Sequence, residues 1–303
     1  MAGQLLTPSP SPSPPATQRT ILPAEINAAT RKQHTELNRL IVDRLPLALP
    51  PHQGTPALYG QGLAAFAEIY FTFEEVWSDL ATSSKQRPGK NGDSYDTLVR
   101  QWLASLRPDE LKRSARLQDD IKHLSSITNR RLGPLSARQL LVLQRMTEEI
   151  HAKPHTLIAY SWVMYMAIFS GGRWIRQELA KAGPEFWGQS LPTADDAGTQ
   201  SSRDLLGISF LSFEGTHDGE DIKASYKSEL VQAETLLTFQ ERQDVIEASQ
   251  QLFEDCIALV GELDEVAQRQ LVIEKAKTAA PWILAILLAG FCWLVFKGAS
   301  SRI

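Results

Sequence analysis

The chain has 303 residues, a formal net charge of -4 and 43% apolar residues, enough for one large domain or two small ones and for a sizeable core. The charge is modest and dispersed, and no helix carries a basic stripe, which argues against nucleic acid as a partner. The two cysteines, Cys256 and Cys292, are far apart, and the second lies in an apolar tail; this excludes a disulfide framework and fits a reducing compartment.

Residues 1–20 alternate Ser and Pro, bury too little apolar area to offset their ordering entropy, and are expected to be disordered. No basic start precedes an apolar run, so they do not read as a secretory signal. Residues 25–45 read as an amphipathic helix with Thr30, His34, Leu37 and Ile41 on one stripe. A second apolar-rich helix spans 58–80. The stretch 83–96, SSKQRPGKNGDSYD, is a loop by its Gly, Pro, Asn and Asp content. Helical pattern returns at 95–106 and 136–151. Residues 156–169, TLIAYSWVMYMAIF, are apolar almost all round but too short for a bilayer, so they predict a buried core helix. Ser170, Gly171 and Gly172 interrupt it and RWIRQELAKAG resumes it. A loop at 191–204 leads to helices over 221–237 and 239–273, the last with Ile246, Ser249, Phe253, Cys256 and Val260 on one face. Strand-like alternation is nearly absent. The class is all-α, an irregular helical bundle occupying 21–274.

The tail differs. Residues 278–296, TAAPWILAILLAGFCWLVF, carry no charge, and as a helix they rise about 28 Å, close to a bilayer's hydrocarbon thickness. Trp282 and Trp293 lie toward its ends, and Lys275, Lys277, Lys297 and Arg302 flank it. The expectation is one transmembrane tail anchor at 278–297, a short tail at 298–303, and a domain facing the cytosol. Flanking charge does not itself settle that orientation, since both flanks are basic. The endoplasmic reticulum is the expected membrane, with the mitochondrial outer membrane as the alternative.

Three segments hold residues suited to chemistry. His34 sits on the stripe of the first helix, one turn after Arg31; alone, such a histidine is usually part of the core. Gly171 and Gly172 inside a buried helix cost about 2 kcal/mol relative to alanine, so either a packing kink or a close approach of backbone to a flat ligand must compensate. Lys223 and Lys227 share a helix face at i and i+4, with Tyr226 and Ile222 beside them; a solvated face and a clamp for two carboxylates both fit. Taken together, an axial histidine, a glycine-bent helix and cations at an edge are what holding a haem requires. Glu148, Glu149, His151 and His155 form a competing cluster of the kind di-iron helical proteins use, but Pro154 separates the two histidines. His52, His123 and His217 read as surface residues, and Cys256 as core.

The segments INAATRKQHTELN, AYSWVMYMAIFSGG and IKASYKS followed by ERQDVIEASQQLFEDCIALV resemble the eukaryotic heme oxygenase family, in a divergent, fungal-like form, over roughly residues 22–262. The resemblance implies His34 as the proximal iron ligand and Ser170, Gly171 and Gly172 as the distal turn over the haem. It implies Arg31, Lys223 and Lys227 as basic contacts to the propionates, with Tyr226 as the aromatic between the lysines. It also implies an NADPH-dependent cytochrome reductase as electron donor, and ring opening to biliverdin, carbon monoxide and ferrous iron. One departure is sharp. The family's distal motif has a glycine and an aspartate where this chain has Ala167 and Ile168, and isoleucine can neither accept nor donate a hydrogen bond. The implied activity therefore stands beside an alternative, a membrane-anchored haem binder or sensor that no longer opens the ring.

Overall fold

Thr30 splits the first expected helix in two. Helix α1 (Leu22–Ala29) places Pro23 in its first turn, where a missing N–H costs nothing, and buries Leu22 and Ile26. At Thr30 the backbone leaves the helix (φ -102°, ψ 4°), and the buried hydroxyl donates to the Ile26 carbonyl at 2.8 Å. The chain re-enters as α2 (Arg31–Arg44), whose one fully buried residue is Leu40. The computed structural model describes residues 21–86, 95–133, 136–189 and 205–300, with the side chains of 283–300 outside that description. The Ser/Pro head, the 87–94 part of the first loop, the 191–204 loop and residues 301–303 lie outside the described residues.

Helix α3 (Ala57–Gln86) runs through the middle of the bundle. Its Ala65, Phe73 and Trp77 are buried, and it packs against α4 (Tyr95–Leu106), α5 (Ser114–Thr128), α6 (Ala137–Ala152) and α7 (Leu157–Ala167). The Trp77 indole donates to the Leu103 carbonyl at 2.6 Å and so fixes α4. Helix α5 was not among the expected elements. Its apolar residues Leu117, Ile121 and Leu124 do recur at helical spacing, and Asn129 closes it in the left-handed conformation (φ 51°). Its start is capped from another element. The buried Glu74 carboxylate of α3 accepts the N–H groups of Arg113 (2.8 Å) and Ser114 (3.1 Å) and the Ser114 hydroxyl (2.6 Å).

As its composition requires, α7 is buried all round from Leu157 to Tyr165. It ends in one π-helical turn, Ile168–Gly172, and continues as α8 (Arg173–Ala180). Such bulged turns concentrate at functional sites. Residues 205–219 then fold back over this turn, held by buried charge. Asp120 accepts the N–H groups of Gly207 and Phe210, each at 2.8 Å, Arg113 donates to the Ser212 carbonyl at 2.8 Å, and Arg176 pairs with Asp218 at 2.6 Å. Helix α9 (Glu220–Ala233) follows, and α10 (Phe239–Ser300) closes the domain against α1, α2, α3 and α7. Arg44 grips Asp264 of α10 with two parallel bonds, at 2.8 and 2.5 Å.

The 239–273 helix of the sequence reading is thus the first part of a longer one, since α10 runs without interruption through Pro281. Beyond the bundle it exposes Leu271, Val272, Ile273 and Trp282. Among the described residues no helix is long and apolar enough to cross a membrane; most of the expected span falls in 283–300, whose side chains lie outside the description.

Gly219 is required by space and by backbone. Its φ is +83°, and a Cβ there would lie 2.5 Å from the Phe213 Cβ and 3.1 Å from Phe169. Gly183 has the same φ (+82°) with nothing within 4 Å. In thermal unfolding, Gly219→Ala is expected to lose about 3 kcal/mol or more, strain plus overlap, and Gly183→Ala only about 1–2 kcal/mol. Equal losses would show that Phe213 yields freely.

Candidate functional site

Two walls and an edge define the site. On the first wall, α2 presents His34 with an exposed ring that meets the buried Phe253 of α10 edge-on, centroids 5.9 Å apart and planes at 78°. Among the described residues the His34 ring nitrogens have no hydrogen-bond partner, so both are available to a ligand. Arg31, one turn earlier, is also exposed.

The second wall is the π-helical turn. Its exposed or half-exposed residues, Ser170 and Gly171, are small, as is the exposed Ala167 just before it, while Ile168, Phe169 and Gly172 face inward. The two glycines serve differently. A Cβ on Gly172 would press on Ile168 at 3.0 Å and Leu211 at 3.4 Å, so this glycine lets the turn close on itself. A Cβ on Gly171 would meet one atom, at 4.0 Å, so nothing in the fold demands glycine there and the open space in front of it is the feature. Ile168 is 4% exposed and packs against Gly172, so it presents an apolar group inside this turn.

The edge comes from α9. The Lys223 ammonium lies over the Phe169 ring at 5.7 Å, and that of Lys227 over the Trp162 ring at 5.7 Å. Lys223 also reaches Glu220 at 3.4 Å, which Arg173 holds at 2.7 Å. Lys227 has no carboxylate partner among the described residues. Tyr226 is placed differently from its two neighbours. It has no exposed surface, and its hydroxyl pairs with Ser161 at 2.6 Å, so it seats α9 on α7 from within the core.

Trp162, which carried no signal of its own in an all-apolar helix, joins the parts. Its indole N–H donates to the Asn27 side chain of α1 at 3.0 Å while its ring lies under Lys227. The Gln250 amide of α10 donates to the Ala29 carbonyl at 3.1 Å. Helix α1, which leads into the helix that carries His34, is therefore tied to α7 and α10 together. Glu74 is the second residue that sequence reasoning missed. The segment around Ile168 holds no carboxylate, but α3 brings Glu74 to the Tyr165 hydroxyl at 2.8 Å.

The competing cluster disperses. Glu149 accepts from Tyr160 at 2.6 Å, Glu148 accepts from Gln144 at 2.8 Å, and His151 is exposed. His155 is buried with Nε2 3.0 Å from Asp244, which Lys153 also holds at 2.8 Å. Burial raises the Asp244 carboxyl, but the bonds from Lys153 and His155 outweigh it and leave the group below its usual value. Among the described residues no three His, Cys, Asp or Glu side chains are placed to share a metal ion. Cys256 is core, 1% exposed, and burial pushes its thiol up to about 12. Its neutral form stabilises the fold below the unfolded value of 9.0, a contribution lost as pH rises toward about 12. Iodoacetamide at pH 8 is expected to alkylate Cys256 in the folded protein at least about 100-fold more slowly than in denaturant, read by peptide mass. Comparable rates would mean that α10 opens locally.

Comparison with known proteins bears on this arrangement. The heme oxygenase family model matches residues 97–262, which takes in the π-helical turn and the α9 lysines. The chain belongs to the heme oxygenase family. The heme-binding protein HMX1 of Saccharomyces cerevisiae is 25% identical over 276 residues, covering 86% of this chain and 80% of that protein. Two solved heme oxygenases share the fold. The Leptospira interrogans protein superposes with a TM-score of 0.54 at 21% identity, covering 80% of this chain and all of that one. Heme oxygenase-1 of the cyanobacterium Synechocystis, determined in complex with heme, has a TM-score of 0.58 at 16% identity over 86% of this chain and 99% of that one. The all-α class is thereby that of the heme oxygenases.

Proposed function

We propose that this protein binds haem between α2 and the π-helical turn of α7, with His34 as the axial iron ligand, and opens the ring oxidatively. The observation that carries the reading is the exposed His34 imidazole on one wall, without a hydrogen-bond partner among the described residues, with small residues displayed on the bulged other wall. When bound, haem supplies the iron that activates dioxygen and the macrocycle that is converted to biliverdin, carbon monoxide and ferrous iron. The chain's share is placement and electrostatics. The His34 ring rests edge-on against Phe253. Arg31, Lys223 and Lys227 supply cations for the two propionates, and of the two α9 lysines Lys227 is the one with no carboxylate partner among the described residues. Ser170, Gly171 and Gly172 let the backbone approach the haem face, and the exposed Ser170 supplies a hydroxyl that can bond water.

Electrons come, in this reading, from an NADPH-dependent cytochrome reductase. The apolar end of α10 anchors the domain to a membrane, that of the endoplasmic reticulum or, alternatively, the mitochondrial outer membrane. The exposed Leu271, Val272, Ile273 and Trp282 on the approach to residues 283–300 support an anchor.

Ile168 favours a second reading, in which haem is bound or sensed without being degraded. The full chain in detergent, loaded with haem and given reductase, NADPH and air, separates the two. Biliverdin with one carbon monoxide per haem supports ring opening. A Soret band that persists under turnover conditions leaves haem binding and removes the oxygenase activity.

A further inference from the structure

Tyr165 lies in α7 one turn before Ile168 and has no exposed surface. A phenol that loses one electron must also lose its proton, and in a dry interior only a hydrogen-bonded base can take it. Three tyrosines cluster here, with ring centroids 6.3 Å apart for Tyr70 and Tyr165 and 6.4 Å for Tyr165 and Tyr226; Phe73 is 5.5 Å from Tyr165. The Tyr70 hydroxyl donates to the Met164 carbonyl at 2.8 Å, and that of Tyr226 pairs with Ser161, so neither faces a base. Tyr165 donates to the Glu74 carboxylate at 2.8 Å. Every other bond to Glu74 comes from a donor as well, namely the N–H groups of Arg113 and Ser114 and the Ser114 hydroxyl. The helix cap accounts for the Arg113 and Ser114 bonds. It does not account for a buried phenol on the same carboxylate, one turn before the π-helical turn.

We propose that Tyr165 and Glu74 form a proton-coupled redox pair that donates one electron toward the haem site. The inference rests on the haem-binding reading above. The oxidant is haem activated by a hydroperoxide. One electron leaves the Tyr165 ring and reduces that oxidant by one equivalent, while the phenol proton moves from the Tyr165 oxygen to Glu74 Oε1. The products are a neutral phenoxyl radical and a protonated Glu74. A chain with Ile168 in place of a distal carboxylate has use for such a donor, because oxidising equivalents not spent on the macrocycle would otherwise attack the protein at random.

The test uses the full chain loaded with haem, its loading verified by the Soret band, then mixed with hydrogen peroxide and freeze-quenched for electron paramagnetic resonance. A radical whose hyperfine pattern narrows on ring-deuterated tyrosine is expected, lost in Tyr165→Phe and retained in Tyr160→Phe. Tyr160 is the control because it too donates to a carboxylate, Glu149, at 2.6 Å. Both variants are checked for an unchanged Soret band, so loss of the radical reports the donor and not the fold. A Soret band without a tyrosyl signal, or a signal undiminished in Tyr165→Phe, overturns the inference alone. Failure to form any Soret band overturns the haem reading and the inference with it.

Discussion

His34→Ala is expected to weaken haem binding by at least about 100-fold, more than the roughly 10–100-fold that losing a metal ligand's outer-shell partner costs. The effect should be on the ligand alone. His34 is exposed and its ring makes one described contact, with Phe253, so the variant should unfold at nearly the wild-type temperature. Free imidazole should restore the Soret band by filling the space the side chain leaves. His155→Ala makes the contrast, because that histidine is buried against Asp244 and should cost stability without a specific effect on the iron spectrum. If His34→Ala binds haem as tightly as wild type with an unchanged spectrum, another residue is the ligand.

The second large effect is expected at Asp218. Its carboxylate is 2.6 Å from the Arg176 guanidinium, with the two side chains 5% and 8% exposed, and it accepts the Phe213 N–H at 3.0 Å. Asp218→Ala strips a buried cation of its carboxylate, which costs about 3–5 kcal/mol. At about 2–4 °C per kcal/mol for a domain of this size, the melting temperature should fall by roughly 6–20 °C. The loss should also reach the site. Phe213 stacks on Phe169 of the π-helical turn, centroids 4.1 Å apart and planes at 12°, so loosening the 205–219 segment frees the distal wall. Replacing both partners, Asp218→Ala with Arg176→Met, should restore part of the stability, because no unpaired charge then remains buried. A double variant as unstable as the sum of the singles would show that the ion pair is not what holds the segment.

Much of the architecture can be read from periodicity. The apolar run of α7, the stop at Ser170 to Gly172 and the resumption at Arg173 are all in the pattern, and the structure adds that the stop is a π-helical turn. Elements whose cause is tertiary escaped. Thr30 is an ordinary helix residue by propensity, and it ends α1 because its hydroxyl bonds back to Ile26. Helix α5 is charged enough to hide its Leu117, Ile121 and Leu124 stripe, and it starts where Glu74, some forty positions away, satisfies its first N–H groups. An even longer separation in sequence, 91 positions, concealed the Tyr165 partner. At the site, spacing alone placed Lys223 and Lys227 on one face. It could not tell that Tyr226, one residue before Lys227, points into the core. Roles for His34 and the glycines came from resemblance to the heme oxygenases, since one histidine and two glycines are too common to carry a function by themselves.

Hydrogen–deuterium exchange of the full chain with and without haem tests the location of the site most directly. Binding between α2 and the bulged helix should slow exchange together in residues 31–37 and 167–173, the two walls that carry His34 and Ser170, with a smaller change over α9 at Lys223 and Lys227. Residues 148–155, where the dispersed carboxylates and histidines lie, should not change. Protection confined to any other part of the bundle, or on one wall only, would contradict a haem held between these two elements.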